Sequence, residues 1–172
     1  MEYNFDIEKL MPIIEEYASK AKFVLEIGPA KGNGSTIAIE RGLERSPNRH
    51  KMFVSVDIRD YMEYKPKLDY WFFVLGDSRS KDTVWDVSNL CFRGEIPDLI
   101  FIDTVHTYEQ MKVELETWWE ASTLETTWLF HDTWMMGEYN HMTDAIKEFA
   151  EEHGLVYEDV TTDSHGLGAM HK

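Results

Sequence analysis

Cysteine is nearly missing from this sequence. Cys91 stands alone, so no disulfide within the chain can brace the fold, and an oxidising compartment is not called for. Basic residues are also scarce: Lys and Arg number 17 against 32 Asp and Glu, a formal charge of −15. Neutralising a phosphate backbone or an anionic membrane surface takes clustered cations, and none stand out here, which excludes nucleic acid and membranes as expected partners and favours a small molecule. No apolar run approaches the length of a membrane span, and no basic-then-apolar leader opens the sequence. The cytoplasm is therefore the expected location. Repeats, low-complexity tracts and linker-like stretches are lacking as well, so residues 1–172 are expected to form one domain. Apolar material is ample, at 43% hydrophobic and 13% aromatic residues, enough for a packed core.

The apolar residues alternate between two periods. Pro12 marks a place where a helix can begin, and Met11, Ile14, Tyr17 and Ala18 follow at helical spacing before Phe23 to Ile27 reads as a buried strand. A helix starting near Ser35 carries Ile39 and Leu43, and the segments 52–56, 70–75, 99–102 and 128–130 read as further strands. Ser78 is placed to cap a helix with Val84, Val87 and Cys91 on its apolar side. Tyr108, Met111, Leu115 and Trp118 share one helical face, as do Met142, Ala145, Ile146, Phe149 and Ala150. Two short strands, 156–160 and 167–170, would close the sheet as a hairpin around Asp163 to Gly166. Strands alternating with helices require a mostly parallel sheet covered on both faces, an α/β three-layer architecture.

In open sheets of this kind ligands bind beyond the carboxyl ends of the strands. After the first strand come Gly28, Pro29, Ala30, Lys31, Gly32, Asn33, Gly34 and Ser35. Glycines there let the backbone turn tightly and approach a ligand, while the next helix offers free amides. The spacing G-x-x-x-G-x-G differs from the dinucleotide fingerprint G-x-G-x-x-G and weakens a dehydrogenase reading. Asp57 ends the second strand, where a carboxylate can accept from both hydroxyls of a ribose. Gly76, Asp77 and Ser78 end the third, where Asp77 could accept from an adenine amino group. The plainer alternative makes these glycines simple turns, Ser35 and Ser78 helix caps, and the two aspartates solvated loop acids.

With these segments, Val24 to Thr36 and the acidic Asp57, the sequence resembles the class I S-adenosylmethionine-dependent methyltransferases. The resemblance extends through Asp98-Leu-Ile-Phe-Ile-Asp-Thr-Val-His-Thr-Tyr-Glu109 and Trp128-Leu-Phe-His-Asp-Thr133 to Gly166-Leu-Gly168. It implies a Rossmann-like αβα methyltransferase fold with a mostly parallel seven-stranded sheet and a C-terminal antiparallel hairpin. By the same analogy Glu26, Gly28, Gly32 and Ser35 surround the methionine part of the cofactor, Asp57 the ribose, and Asp77 with Ser78 the adenine. One departure is Thr104, which stands where these relatives carry glycine.

Methyl transfer is an in-line displacement at a sulfonium, so the protein must position a nucleophile and help remove its proton. Asp103, His106, His131 and Asp132 follow the fourth and fifth strands and are the catalytic candidates. Two arrangements stay open. Asp103 and Asp132 could hold Mg2+ or another divalent cation that lowers the pKa of a substrate oxygen, or His106 or His131 could act as the base without metal. For His106 the plain alternative is a loop-ordering hydrogen bond. His141, His153, His165 and His171 look scattered, and the acidic stretch from Glu114 to Glu120 looks like a solvated helix face. The expected activity is O-methylation of a small hydroxylated compound, with N-methylation as a variant. A non-catalytic cofactor-binding module and a nucleotide-dependent oxidoreductase are the competing classes. No inserted lid is recognisable, so the segment Met1 to Met11 or a second copy in a homodimer would have to cover the substrate. A side chain introduced at Gly28 or Gly32 is expected to block binding while leaving the fold intact.

Overall fold

The computed structural model describes residues 5–135 and 141–172. Its elements are α1 (Phe5–Lys20), β1 (Phe23–Ile27), α2 (Ser35–Arg45), β2 (Met52–Asp57), β3 (Trp71–Leu75), α3 (Lys81–Asp86), β4 (Leu99–Ile102), α4 (Tyr108–Trp119), β5 (Thr127–His131), α5 (Met142–His153), β6 (Val156–Thr161) and β7 (Leu167–His171). The strands form one seven-stranded sheet in the order β3-β2-β1-β4-β5-β7-β6. The pairs among β1 to β5 are parallel, whereas β7 runs antiparallel between β5 and β6. The α/β architecture with its closing hairpin is the one expected from the sequence.

Side chains alternate across a strand, and that alternation divides the core in two. Val24, Phe53, Leu99, Phe101 and Leu129 point to one face, where Leu10, Ile14 and Ala18 of α1 and Ala38, Ile39 and Leu43 of α2 cover them. Leu25, Val54, Ile100, Ile102 and Phe130 point to the other, beneath Val84 of α3, Met111, Leu115 and Trp118 of α4, and Ile146 and Phe149 of α5. β1 and β4 are buried along their whole length, which is why β4 reads as an unbroken apolar run and β1 as one interrupted only by Glu26. Each of these large side chains contributes about 1.5–3 kcal/mol by leaving water.

Three local expectations are corrected. α1 begins at Phe5 rather than near Pro12, and the proline lies inside the helix. Pro12 is exposed, and the stripe Ile7, Leu10, Ile14 and Ala18 buried on the opposite face carries the helix through the missing backbone donor. Ser78 does not cap α3. Ser80 does, its side chain accepting from the Asp82 amide at 3.2 Å, and the helix then widens into a π turn over Val87–Cys91. Finally, Glu114 is no part of a solvated face: it is fully buried.

Of the segment Met1 to Met11, residues 1–4 lie outside the described residues. Ile7 and Leu10 are buried in the core against α2, so this part of α1 builds the domain. Among the described residues no helix is long and apolar enough to cross a membrane.

Candidate functional site

The sheet ladder runs one residue past its strands and thereby aligns the site. The Gly28 amide donates to the Val56 carbonyl, that of Gly76 to Asp57, and that of Asp103 to Ile27, each at 2.9 Å. Since Ile102 pairs with Phe130, Asp103 lies alongside His131. Gly76, Asp57, Gly28, Asp103 and His131 therefore form a row across the carboxyl edge of the sheet, where strand order reverses between β1 and β4.

A cleft of about 370 Å³ opens above this row, lined by Gly28, Ala30, Asp57, Gly76, Asp77, Ser78, Asp103 and Gln110 among others. That volume suits a small ligand or cofactor. The loop after β1 is shaped by positive φ at Gly28 (+85°) and Gly32 (+75°). A Cβ on Gly28 would stand 2.0 Å from the Asp103 carbonyl oxygen, and one on Gly32 would stand 2.5 Å from that of Tyr64. Both glycines thus admit neighbouring backbone, and a side chain there would disturb the fold itself, contrary to the expectation that only binding would suffer. Gly34 instead makes room for Ile7 of α1. Pro29 is buried, Asn33 is exposed, and Lys31 pairs with Glu63 at 2.6 Å.

Beneath the loop, Glu26 is fully buried and accepts from the hydroxyls of Ser35 (2.7 Å), Thr36 (2.9 Å) and Ser55 (2.7 Å). Burial pushes its carboxyl up to about 7, against the opposing pull of those hydroxyls. Asp57 accepts from the Ala30 and Arg59 amides at 3.2 and 3.0 Å, so its carboxylate is already oriented at the cleft. Both Asp77 oxygens are engaged by the Arg79 guanidinium, at 2.9 and 2.7 Å. Ser78 donates to Glu114 at 2.5 Å, and its carbonyl accepts from the Trp118 indole at 2.8 Å. Burial holds the Glu114 carboxyl above its ordinary value despite donors from Ser78, Thr104 and Gln110.

The four catalytic candidates converge at the β4–β5 end. The Nε2 atom of His106 lies 3.4 Å from Asp103 Oδ1 and 3.3 Å from Asp132 Oδ2. The Nδ1 atom of His131 lies 3.2 Å from Asp103 Oδ2 and 3.4 Å from Asp132 Oδ2. Asp132 adopts φ +60°, a left-handed conformation that aspartate tolerates better than most residues and that costs of order 1 kcal/mol. Burial would raise Asp103, but the two imidazoles outweigh it and hold its carboxyl well below the ordinary range. Burial raises Asp132, and the charge of Asp103 adds to it while the histidines oppose. The two carboxyls thus lie on opposite sides of the ordinary value, Asp103 through its two imidazoles and Asp132 chiefly through burial.

His165 was not singled out by its sequence position. From the β6–β7 loop its Nδ1 atom comes within 3.6 Å of Asp132 Oδ1. Only the hairpin's return beside β5 brings it there. The ligand atoms of Asp103, His131 and Asp132 lie within 4.8 Å of one another, a mixed oxygen and nitrogen set of the kind that holds a divalent cation.

Residues 25–133 match the model of a methyltransferase domain family. The chain belongs to this methyltransferase family, and its fold is that of the S-adenosylmethionine-dependent class. A candidate caffeoyl-CoA O-methyltransferase of Staphylococcus aureus shares the fold at TM-score 0.68 and 12% identity, over 99% of this chain and 84% of that one. A TDP-rhamnose 3'-O-methyltransferase of calicheamicin biosynthesis gives TM-score 0.69 at 15% identity, over 96% and 78%. MycE of the mycinamycin pathway, in complex with Mg, SAH and mycinamycin VI, gives 0.60 at 14%, over 99% of this chain and 55% of that one. The comparison with curated proteins gave no match.

Proposed function

We propose that this chain, as one domain, methylates a hydroxyl oxygen of a small molecule, with S-adenosylmethionine seated in the cleft and the acceptor at the β4–β5 end. The observation that carries this reading is the double membership of Asp103. It lines the cleft and also belongs to the Asp–His cluster, so the seat of the cofactor and a set of proton-handling groups share one wall. Asp57 would accept the ribose hydroxyls, Asp77 and Ser78 face the adenine end, and the glycine loop follows the methionine part. The solved relatives that methylate oxygen of small molecules support the acceptor class.

Bound S-adenosylmethionine supplies an electrophilic methyl group on sulfur. The protein's task is to hold an acceptor oxygen in line with it and to take up the proton as the new bond forms. Asp103, His131 and Asp132 fit a divalent cation by their donor chemistry and mutual reach, and MycE was solved with Mg. Such a cation would lower the pKa of the bound oxygen. A second reading is favoured by His106 alone, whose Nε2 atom lies beside both carboxylates: they hold the imidazole at the β4–β5 end, where His106 would take up the acceptor's proton directly.

Methyl transfer from labelled S-adenosylmethionine to a panel of hydroxylated compounds, with and without chelator, tests both readings. Under the cation reading, chelator abolishes transfer and added divalent metal restores it. Full transfer by metal-stripped protein removes the cation and leaves His106 as the base. Absence of S-adenosylhomocysteine binding in calorimetry would remove the cofactor assignment itself.

A further inference from the structure

The cleft wall beside Ser78 carries a polar network that no step of methyl transfer uses. Glu114, fully buried, accepts from Ser78 Oγ at 2.5 Å, Thr104 Oγ1 at 2.7 Å and Gln110 Nε2 at 2.7 Å. Thr104 follows Asp103 directly at the end of β4, which brings its hydroxyl into this network. Gln110 sits in the first turn of α4, its amide accepted by the capping Thr107 side chain at 3.2 Å. Its side chain lines the cleft together with Ser78, Asp77 and Thr104.

Gln110 turns the NH2 end of its amide to Glu114, donating at 2.7 Å to a carboxyl that also accepts from Ser78 and Thr104. Its carbonyl oxygen is then the end left for the cleft, and among the described residues nothing donates to it. Both Asp77 oxygens, by contrast, already take guanidinium donors. We propose that Gln110 reads the exocyclic amino group of the cofactor's adenine through this oxygen, and that Glu114 is a positioning residue that fixes which end of the Gln110 amide faces the cleft. The inference rests on the reading that the cleft seats the adenosyl group. It makes the network a device for choosing an amino purine over an oxo purine: hypoxanthine puts an acceptor where adenine puts a donor, and Gln110 cannot flip to meet it without losing Glu114.

The test is calorimetric titration with S-adenosylhomocysteine and S-inosylhomocysteine. The wild-type protein should prefer the adenosyl compound by about tenfold or more, the worth of one good hydrogen bond against an unpaired acceptor. Gln110→Ala, at a half-buried helix position, should cut that preference to within about threefold. Glu114→Gln should do the same, because a side-chain amide at 114 can accept or donate and frees Gln110 to turn. A purely structural role would weaken both ligands in parallel and leave the ratio unchanged. Retention of the wild-type ratio in both variants, with native thermal melts, would overturn the proposal, as would a wild-type protein that binds both compounds equally. A wild-type protein that binds neither would strike the cofactor seat instead.

Discussion

At the β1–β3 end of the cleft the carboxylates arrive with their partners. Glu26 is held by three hydroxyls, and Asp57 by two backbone amides. At the β4–β5 end, Asp103 and Asp132 face each other with imidazoles between them, and one is driven down while the other is driven up. In the first region fixed donors hold each carboxyl in one orientation. In the second, two carboxyls and two imidazoles crowd together with nitrogen to oxygen distances of 3.2 to 3.4 Å, the kind of titratable cluster that the proposed proton uptake would require.

Four substitutions sharpen the contrast, the strongest at the β4–β5 end. Asp132→Asn should lower turnover on the order of 10³-fold, about 4 kcal/mol, while S-adenosylhomocysteine affinity stays within a few-fold by calorimetry. An equal loss in both would merge the two regions into one. Gly28→Val should destabilise the protein by about 3 kcal/mol or more, since its Cβ meets the Asp103 carbonyl and its φ is positive. Chemical denaturation measures this, and a normal midpoint would mean that the loop is a plain, adaptable turn.

Glu26 ties stability to pH. Its folded carboxyl, raised to about 7 from an ordinary 4.5, keeps its proton after the unfolded one has lost it. The contribution is therefore fully present below about pH 4.5 and is lost as pH rises through about 7, by up to roughly 3 kcal/mol. Glu26→Gln should flatten that slope in denaturation curves taken between pH 4.5 and 7.5; an unchanged slope would place the titration elsewhere. Asp57→Ala, the smallest effect, should weaken S-adenosylhomocysteine about thirtyfold, or 2 kcal/mol, with turnover at saturating cofactor nearly kept. Wild-type affinity in this variant would take the ribose away from Asp57.

Much of this was legible in the sequence because local rules suffice for it. The glycines at 28 and 32, the acid after the second strand, and the pairs Asp103–His106 and His131–Asp132 stand at strand ends, and in a parallel sheet strand ends share one edge. The misreadings have a common cause. Pro12 suggests a helix start because a missing donor is a local fact, whereas the apolar stripe that overrides it acts only once α1 packs on the sheet. Ser78 is as good a cap by type as Ser80, and only the position of α4 turns it toward Glu114.

By itself, then, the sequence determined the alternation of strands and helices, the two-sided burial of β1 and β4, and which polar loops follow the strand ends, since period and turn residues are properties of neighbouring positions. Tertiary structure alone decided that Glu114 is buried rather than solvated, that Gly34 accommodates Ile7, and that His165 reaches Asp132 from a separate hairpin. Each of those depends on residues distant in the chain meeting at contact distance. Contact, desolvation and charge coupling fall off over a few ångströms in space, with no trace in the spacing of residues along the chain.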